Sequence, residues 1–197
     1  MGQKDMTEKL LEDYNDVFAD ILNVLLFEGC QVIQPEALKE TKAKSQYKAD
    51  DTKIHELERD VVKIWEEGNV SFALCGIENQ TKAERGMPLR IFNYDGVSYR
   101  SQLLHGETGN YYPVLTIILY FGQKHWNQPT TLKEVLKIPP ILEKYINDYK
   151  IYVFEIAWLT DEQVKMFKSD FRAVAEFFTQ VRKDNEYRPT DVELKFF

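Results

Sequence analysis

The chain has 197 residues, with 32 acidic and 25 basic side chains and a formal net charge of −7. Hydrophobic residues make up 44% and aromatics 13%, which suits a packed core and excludes a disordered chain. Nine Gly and seven Pro exclude a collagen-like or low-complexity sequence, and the length favours one domain.

The charged start Met1-Gly2-Gln3-Lys4-Asp5 lacks the apolar stretch of a signal peptide. Thr7 can cap a first helix, along which Leu10, Leu11, Tyr14, Val17, Phe18, Ile21, Leu22 and Leu25 form one apolar stripe. Asp13, Asp16 and Asp20 lie off that stripe, and Gly29 is a natural stop. Residues 34–53 are polar and Lys-rich and read as an exposed loop. Two strand-like runs, 59–66 and 70–78, flank the turn signal Glu67-Gly68-Asn69 and predict a hairpin.

Residues 87–104 show helical spacing at Leu89, Phe92 and Tyr94, interrupted by Asp95-Gly96. Residues 113–121 are apolar on both faces and predict a central strand, and 150–159 predict another. A last helix opens with capping-box spacing at Thr160 and Gln163, then carries Val164, Phe167, Phe171, Val174, Phe178 and Val181. The expectation is a single α/β domain over 1–185 and a charged, loose tail over 186–197.

Two cysteines, Cys30 and Cys75, cannot build a disulfide framework and fit a reducing compartment. The longest apolar run, 111–121, is far short of the roughly 20 residues that span a bilayer. A cytoplasmic protein without a membrane partner is the expectation. Residues 1–60 carry 14 acids and 8 bases, a balance of −6, whereas 61–197 are nearly neutral at −1. No broad basic face of the kind that drives non-specific DNA binding is visible, so a nucleic acid must be met locally. The densest bases are Lys82, Arg85, Arg90, Arg100 and Lys124.

His55, His105 and His125 are not paired at metal-ligand spacing, and no P-loop, dinucleotide or nucleophile-elbow motif occurs. Cys75 reads as a small buried hydrophobe. Carboxylate chemistry remains. With a three-residue turn, Glu66 faces Val70 and Asp60 lies opposite Gly76, so Asp60, Glu78 and Gln80 project from one face. A two-residue turn would put Asp60 and Glu78 on opposite faces. Two carboxylates on adjacent strands beside a small residue can hold a hard divalent cation.

Arg59-Asp60, then Ile77-Glu78-Asn79-Gln80 at the end of the next strand, resembles the Asp…Glu-Xaa-Lys signature of PD-(D/E)XK nucleases, with Gln in place of Lys. More narrowly, the chain resembles the recombination-promoting nuclease and putative transposase family of bacterial mobile elements. Met87-Pro88-Leu89-Arg90 with Tyr94, Tyr112-Pro113-Val114, and His125-Trp126-Asn127-Gln128-Pro129 followed by Thr131-Leu132 carry that resemblance.

The resemblance implies a restriction-endonuclease-like core, a mixed central sheet flanked by helices, and Mg²⁺- or Mn²⁺-dependent cleavage of DNA. It implies that Asp60 and Glu78 bind the metal and that Gln80 takes the place of the lysine that orients or polarises the attacking water. Asp16 or Asp20 of the first helix would add an outer acidic contact. Arg90 would meet phosphate, with Tyr94 on the same helical face. A homodimer is expected by analogy with nucleases that cut both strands. Two alternatives stay open: a catalytically inactive binding or scaffolding protein on the same fold, and a carboxylate-metal hydrolase acting on another phosphoester.

Overall fold

The computed structural model describes residues 11–41, 44–48, 54–68, 70–105 and 111–189. The expected cap at Thr7, residues 42–43 and 49–53 of the expected loop, the turn residue Asn69 and residues 190–197 of the expected tail lie outside these.

The first described helix, α1 (Asn15–Phe27), buries Val17, Phe18, Ile21 and Leu22 at helical spacing. It ends where Glu28 and Gly29 both turn left-handed, and Gly29 N–H caps the Asn23 carbonyl at 2.9 Å. The expected continuous helix is broken before α1. Tyr14 is extended, and the side-chain amide of Asn15 donates to the carbonyls of Pro35 and Leu38, both at 3.1 Å.

The stretch expected to be a polar loop supplies strands instead. A short 3₁₀ turn, Pro35–Ala37, leads into β1 (Leu38–Glu40), and β2 (Lys44–Lys48) pairs with β3 (Ile54–Glu58) in a separate antiparallel ribbon. β1 offers one buried apolar residue, Leu38, and Lys-Ser-Gln-Tyr-Lys in β2 has no apolar alternation, so neither carries a periodic signal.

The main sheet adds β4 (Val61–Glu67), β5 (Val70–Gln80), β6 (Val114–Tyr120) and β7 (Tyr152–Glu155) in the order β1-β4-β5-β6-β7. The β1–β4 and β4–β5 pairs are antiparallel; β5–β6 and β6–β7 are parallel. A parallel neighbour requires a crossover, and α2 (Met87–His105) provides it between β5 and β6. α2 runs unbroken through Asp95-Gly96. β7 is shorter than expected, because Ile156–Trp158 close into a 3₁₀ turn. A short helix, α3 (Leu132–Val135), lies in the β6–β7 connection, for which the sequence predicts nothing.

One face of the sheet, with Val61, Cys75, Ile77, Ile117 and Leu119, packs on α1 and the C-terminal helices. The other face presents Ile118 to Met87 and Ile91 of α2. This is an α/β architecture, a mixed sheet flanked by helices. The C-terminal ends of the three parallel strands lie side by side, with Gln80 paired to Tyr120 and Tyr120 to Glu155.

The expected last helix is two helices, α4 (Asp161–Met166) and α5 (Phe171–Lys183). The capping box at Thr160 and Gln163 forms as the sequence implies. The break follows from Asp20. One oxygen of its buried carboxylate accepts the N–H groups of Lys168 and Ser169, both at 2.7 Å, and draws them out of helical bonding. Hydrogen bonds to a charged acceptor contribute about 1.5–3 kcal/mol each, so losing both in Asp20→Ala should lower unfolding free energy by about 3–6 kcal/mol in a urea titration. An unchanged midpoint would mean that the α4–α5 corner is held by something else.

Candidate active site

The β4–β5 hairpin brings Asp60 and Glu78 to one face, by a different route from the one expected. Two residues, not three, separate the paired Glu67 and Val70. A bulge then follows: Glu66 pairs with Ser71 but Trp65 with Ala73, so Phe72 is the extra residue. The added residue restores the parity that the shorter turn would have lost. Beyond the bulge Val62 faces Gly76 and Val61 faces Ile77. One step further, Asp60 lies at the bend before β4, on the edge that carries Glu78.

Asp60 is half-buried at the bend before β4, and its Oδ2 accepts the backbone N–H of Asn79 at 2.7 Å. Glu78 is 5% exposed. Its Oε1 lies 3.4 Å from both Gln80 Nε2 and Arg90 Nη1, the long end of hydrogen bonding, while Arg90 Nη2 holds Glu84 at 2.9 Å. Tyr94, one turn after Arg90 on α2, completes this side. Its phenol is pushed up to about 12, first by burial and then by the negative charge of Glu78. Asp60 adds to that rise, and Arg90 and Arg59 oppose it.

Neither first-helix aspartate joins this cluster. Asp16 is exposed in the first turn of α1, and Asp20 serves the α4–α5 corner. The acid that the N-terminal segment brings to Asn79 is Glu12. It is completely buried, and its Oε2 accepts from the Asn79 side-chain amide at 2.7 Å. Asn79 therefore joins two carboxylates, its backbone to Asp60 and its side chain to Glu12. The sequence stripe hid Glu12, because the break at Asp13-Tyr14 puts it in a turn separate from α1. The signal available was an acid wedged beside the apolar pair Leu10-Leu11.

The space left by Gly76 is filled by protein. A Cβ there would sit 2.9 Å from Arg59 Cδ and 3.2 Å from Thr116 Oγ1. The Arg59 guanidinium passes over Gly76 to Asp95 Oδ1 at 2.8 Å and Ser98 Oγ at 3.0 Å. Asp95 is 1% exposed and also accepts from Thr116 Oγ1 at 2.6 Å and from the Tyr149 hydroxyl. Burial pulls the Arg59 guanidinium down from its usual range, and Asp95 counters this. Cys75 is buried beside Gly76, and burial pushes its thiol up to about 12, so it behaves as an apolar residue.

Asp60, Glu78 and Gln80 thus offer hard oxygen atoms at the C-terminal edge of the sheet, with Arg90 and Tyr94 beside them. Among the described residues, no group of three or more His, Cys, Asp or Glu could hold a metal ion. Nor is any helix among them long and apolar enough to cross a membrane.

The mixed sheet with its crossover helix is compatible with a restriction-endonuclease-like core of the PD-(D/E)XK class. The chain belongs to the YhgA-like putative transposase family, whose model matches residues 51–191. That family is named for action on DNA. Among curated proteins and solved structures, no match to the chain is found.

Two measurements test the geometry. Gly76→Ala should lower unfolding free energy by about 1–3 kcal/mol in urea, since Arg59 cannot retreat without leaving Asp95. A neutral result would mean that the guanidinium has room to move. In a spectrophotometric titration, the phenolate signal lost in Tyr94→Phe should belong to a group ionising near pH 12. The unfolded phenol ionises near 10, so Tyr94 leaves stability unchanged below pH 10 and subtracts from it as pH climbs from 10 to 12. A Tyr94 signal appearing at pH 10 would contradict its placement beside Glu78.

Proposed function

We propose that this chain is a metal-dependent DNA endonuclease in which Asp60 and Glu78 hold a divalent ion, Mg²⁺ or Mn²⁺. The observation that carries this reading is Asp60, held by the Asn79 N–H at 2.7 Å, at the edge that carries a nearly buried Glu78, in a chain of a putative transposase family. The donor set fits such an ion: Mg²⁺ is commonly held by one or two carboxylates, with water and substrate phosphate completing its shell. When bound, the ion would activate water and neutralise charge developing on the phosphodiester.

The remaining roles fall to the chain itself. The Asn79 N–H fixes the orientation of Asp60. Gln80 lies against Glu78 and presents a neutral amide that can orient the attacking water by hydrogen bonds. Arg90, held between Glu78 and Glu84, has a partly exposed guanidinium for a phosphate oxygen. Tyr94 stays a neutral phenol at physiological pH and can only donate or accept a hydrogen bond there.

A second reading, a catalytically inactive nuclease-fold binding or scaffolding protein, is favoured by one feature. Arg90 already lies 3.4 Å from Glu78, and Gln80 supplies no cation.

Nicking of supercoiled plasmid in Mg²⁺ or Mn²⁺ separates the two. The endonuclease reading expects EDTA, Asp60→Ala and Glu78→Ala to abolish nicking with circular dichroism unchanged. Gln80→Ala should slow it by about 10–100-fold, the scale of a lost partner to a metal-ligating side chain. Inactive wild type, with no metal-dependent rise in Tm, would transfer the case to the binding protein.

A further inference from the structure

The acidic chain has few places where a polyanion could rest, and the fold gathers three basic side chains and a histidine at one of them. Lys82 and Arg85 lie in the loop leaving β5, and Lys124 and His125 in the loop leaving β6. Because β5 and β6 are parallel, both loops leave the same edge, beside Glu78 and Gln80. Ligands of open α/β sheets bind at this carboxyl edge of the strands. All four side chains are exposed, and neither Lys82 nor Lys124 has an ion-pair partner among the described residues. Arg85 makes one contact, with the Glu134 carbonyl at 3.1 Å. The acids of these loops and of the adjoining β7 end are engaged: Glu84 with Arg90, and Glu155 with His125.

His125 is the element that makes this edge a built surface. Its side chain is 63% exposed, yet it is fixed on two sides. Nδ1 lies 3.0 Å from Glu155 Oε2, and the ring stacks on Trp158 with centroids 3.5 Å apart. Trp158 is braced in turn by the Arg182 guanidinium, 4.2 Å from its ring centroid, and Arg182 Nε donates to the Ala157 carbonyl at 2.7 Å. The other Glu155 oxygen accepts the backbone N–H of Trp126 and so fixes the loop itself. A polar side chain that is exposed but already ordered loses little conformational entropy when a ligand arrives.

We propose that the loops leaving β5 and β6 form the track for the DNA phosphate backbone, with Lys82, Lys124 and His125 as phosphate contacts. The proposal rests on the endonuclease reading, for it names the surface that delivers a strand to Asp60 and Glu78. Phosphate contacts of this kind set register without reading sequence. They also explain how a chain of net charge −7 can hold a polyanion without a broad basic face.

The test is fluorescence anisotropy of a short labelled DNA duplex and of its single strand, with Ca²⁺ replacing Mg²⁺, over a range of NaCl concentrations. Lys82→Gln and Lys124→Gln should each weaken binding by about five- to tenfold at low salt. Each should also take roughly one unit from the slope of log affinity against log salt. His125→Gln should weaken binding with the circular dichroism spectrum unchanged. Lys39→Gln, on the far edge strand, is the control and should bind as wild type. Wild type that binds DNA and nicks plasmid, with Lys82→Gln and Lys124→Gln binding equally well, would overturn the track and leave the endonuclease standing. Losses as large in Lys39→Gln would also overturn it, since binding would then be diffuse. Wild type that neither binds nor nicks DNA would remove the endonuclease reading, and the track with it.

Discussion

A guanidinium buried without a partner costs several kcal/mol, and Arg59 is nearly as buried as the apolar core around it. Its charge is tolerable because Asp95 meets it from α2, while Thr116 of β6 and Tyr149 of the segment before β7 complete the carboxylate's shell. The route between them runs over Gly76 of β5, where no side chain could stand. Five separate stretches of chain are therefore fixed around one ion pair. Asp60 is the next residue after Arg59, so its position follows from this pair as much as from the strand it begins.

The sequence carried the main sheet well, because β4, β5 and β6 have β-branched and apolar runs that periodicity detects. It missed what depends on partners distant in the chain. Asp95-Gly96 looks like a helix breaker, and its neighbours in sequence give no hint that Arg59 and Tyr149 will satisfy Asp95 inside α2. The stripe from Val164 to Val181 looks like one helix, and nothing near Lys168 reveals that a carboxylate 148 residues earlier will take its N–H. β1 and β2 are invisible for a different reason: they are short, polar and defined by backbone pairing alone.

The cluster was legible in composition and less so in geometry. Asp60, Glu78, Gln80, Arg90 and Tyr94 come together, and parity along the strands was the right tool for predicting the shared face of the first three. The turn length was wrong, and the bulge at Phe72, which no periodicity marks, compensates for it. The resemblance points to Asp16 or Asp20 as the outer acid of the first helix, whereas the acid that reaches Asn79 is Glu12, before the break in that helix. A two-residue break rotates everything before it, so acids that share a helical face in projection part company in space.

The grip of Asp20 on Lys168 and Ser169 also bears on how the chain acquires its structure. During synthesis α1 emerges long before the residues that Asp20 will bind, and its apolar stripe then has no cover from α4 and α5. Val164, Phe167 and Phe171 supply much of that cover, and they are made well over a hundred residues after α1. α1 must wait, with a carboxylate held ready, for partners 148 residues further on. Closure of this face is accordingly a late, long-range event, and the interval before it is when the nascent protein most needs protection from aggregation.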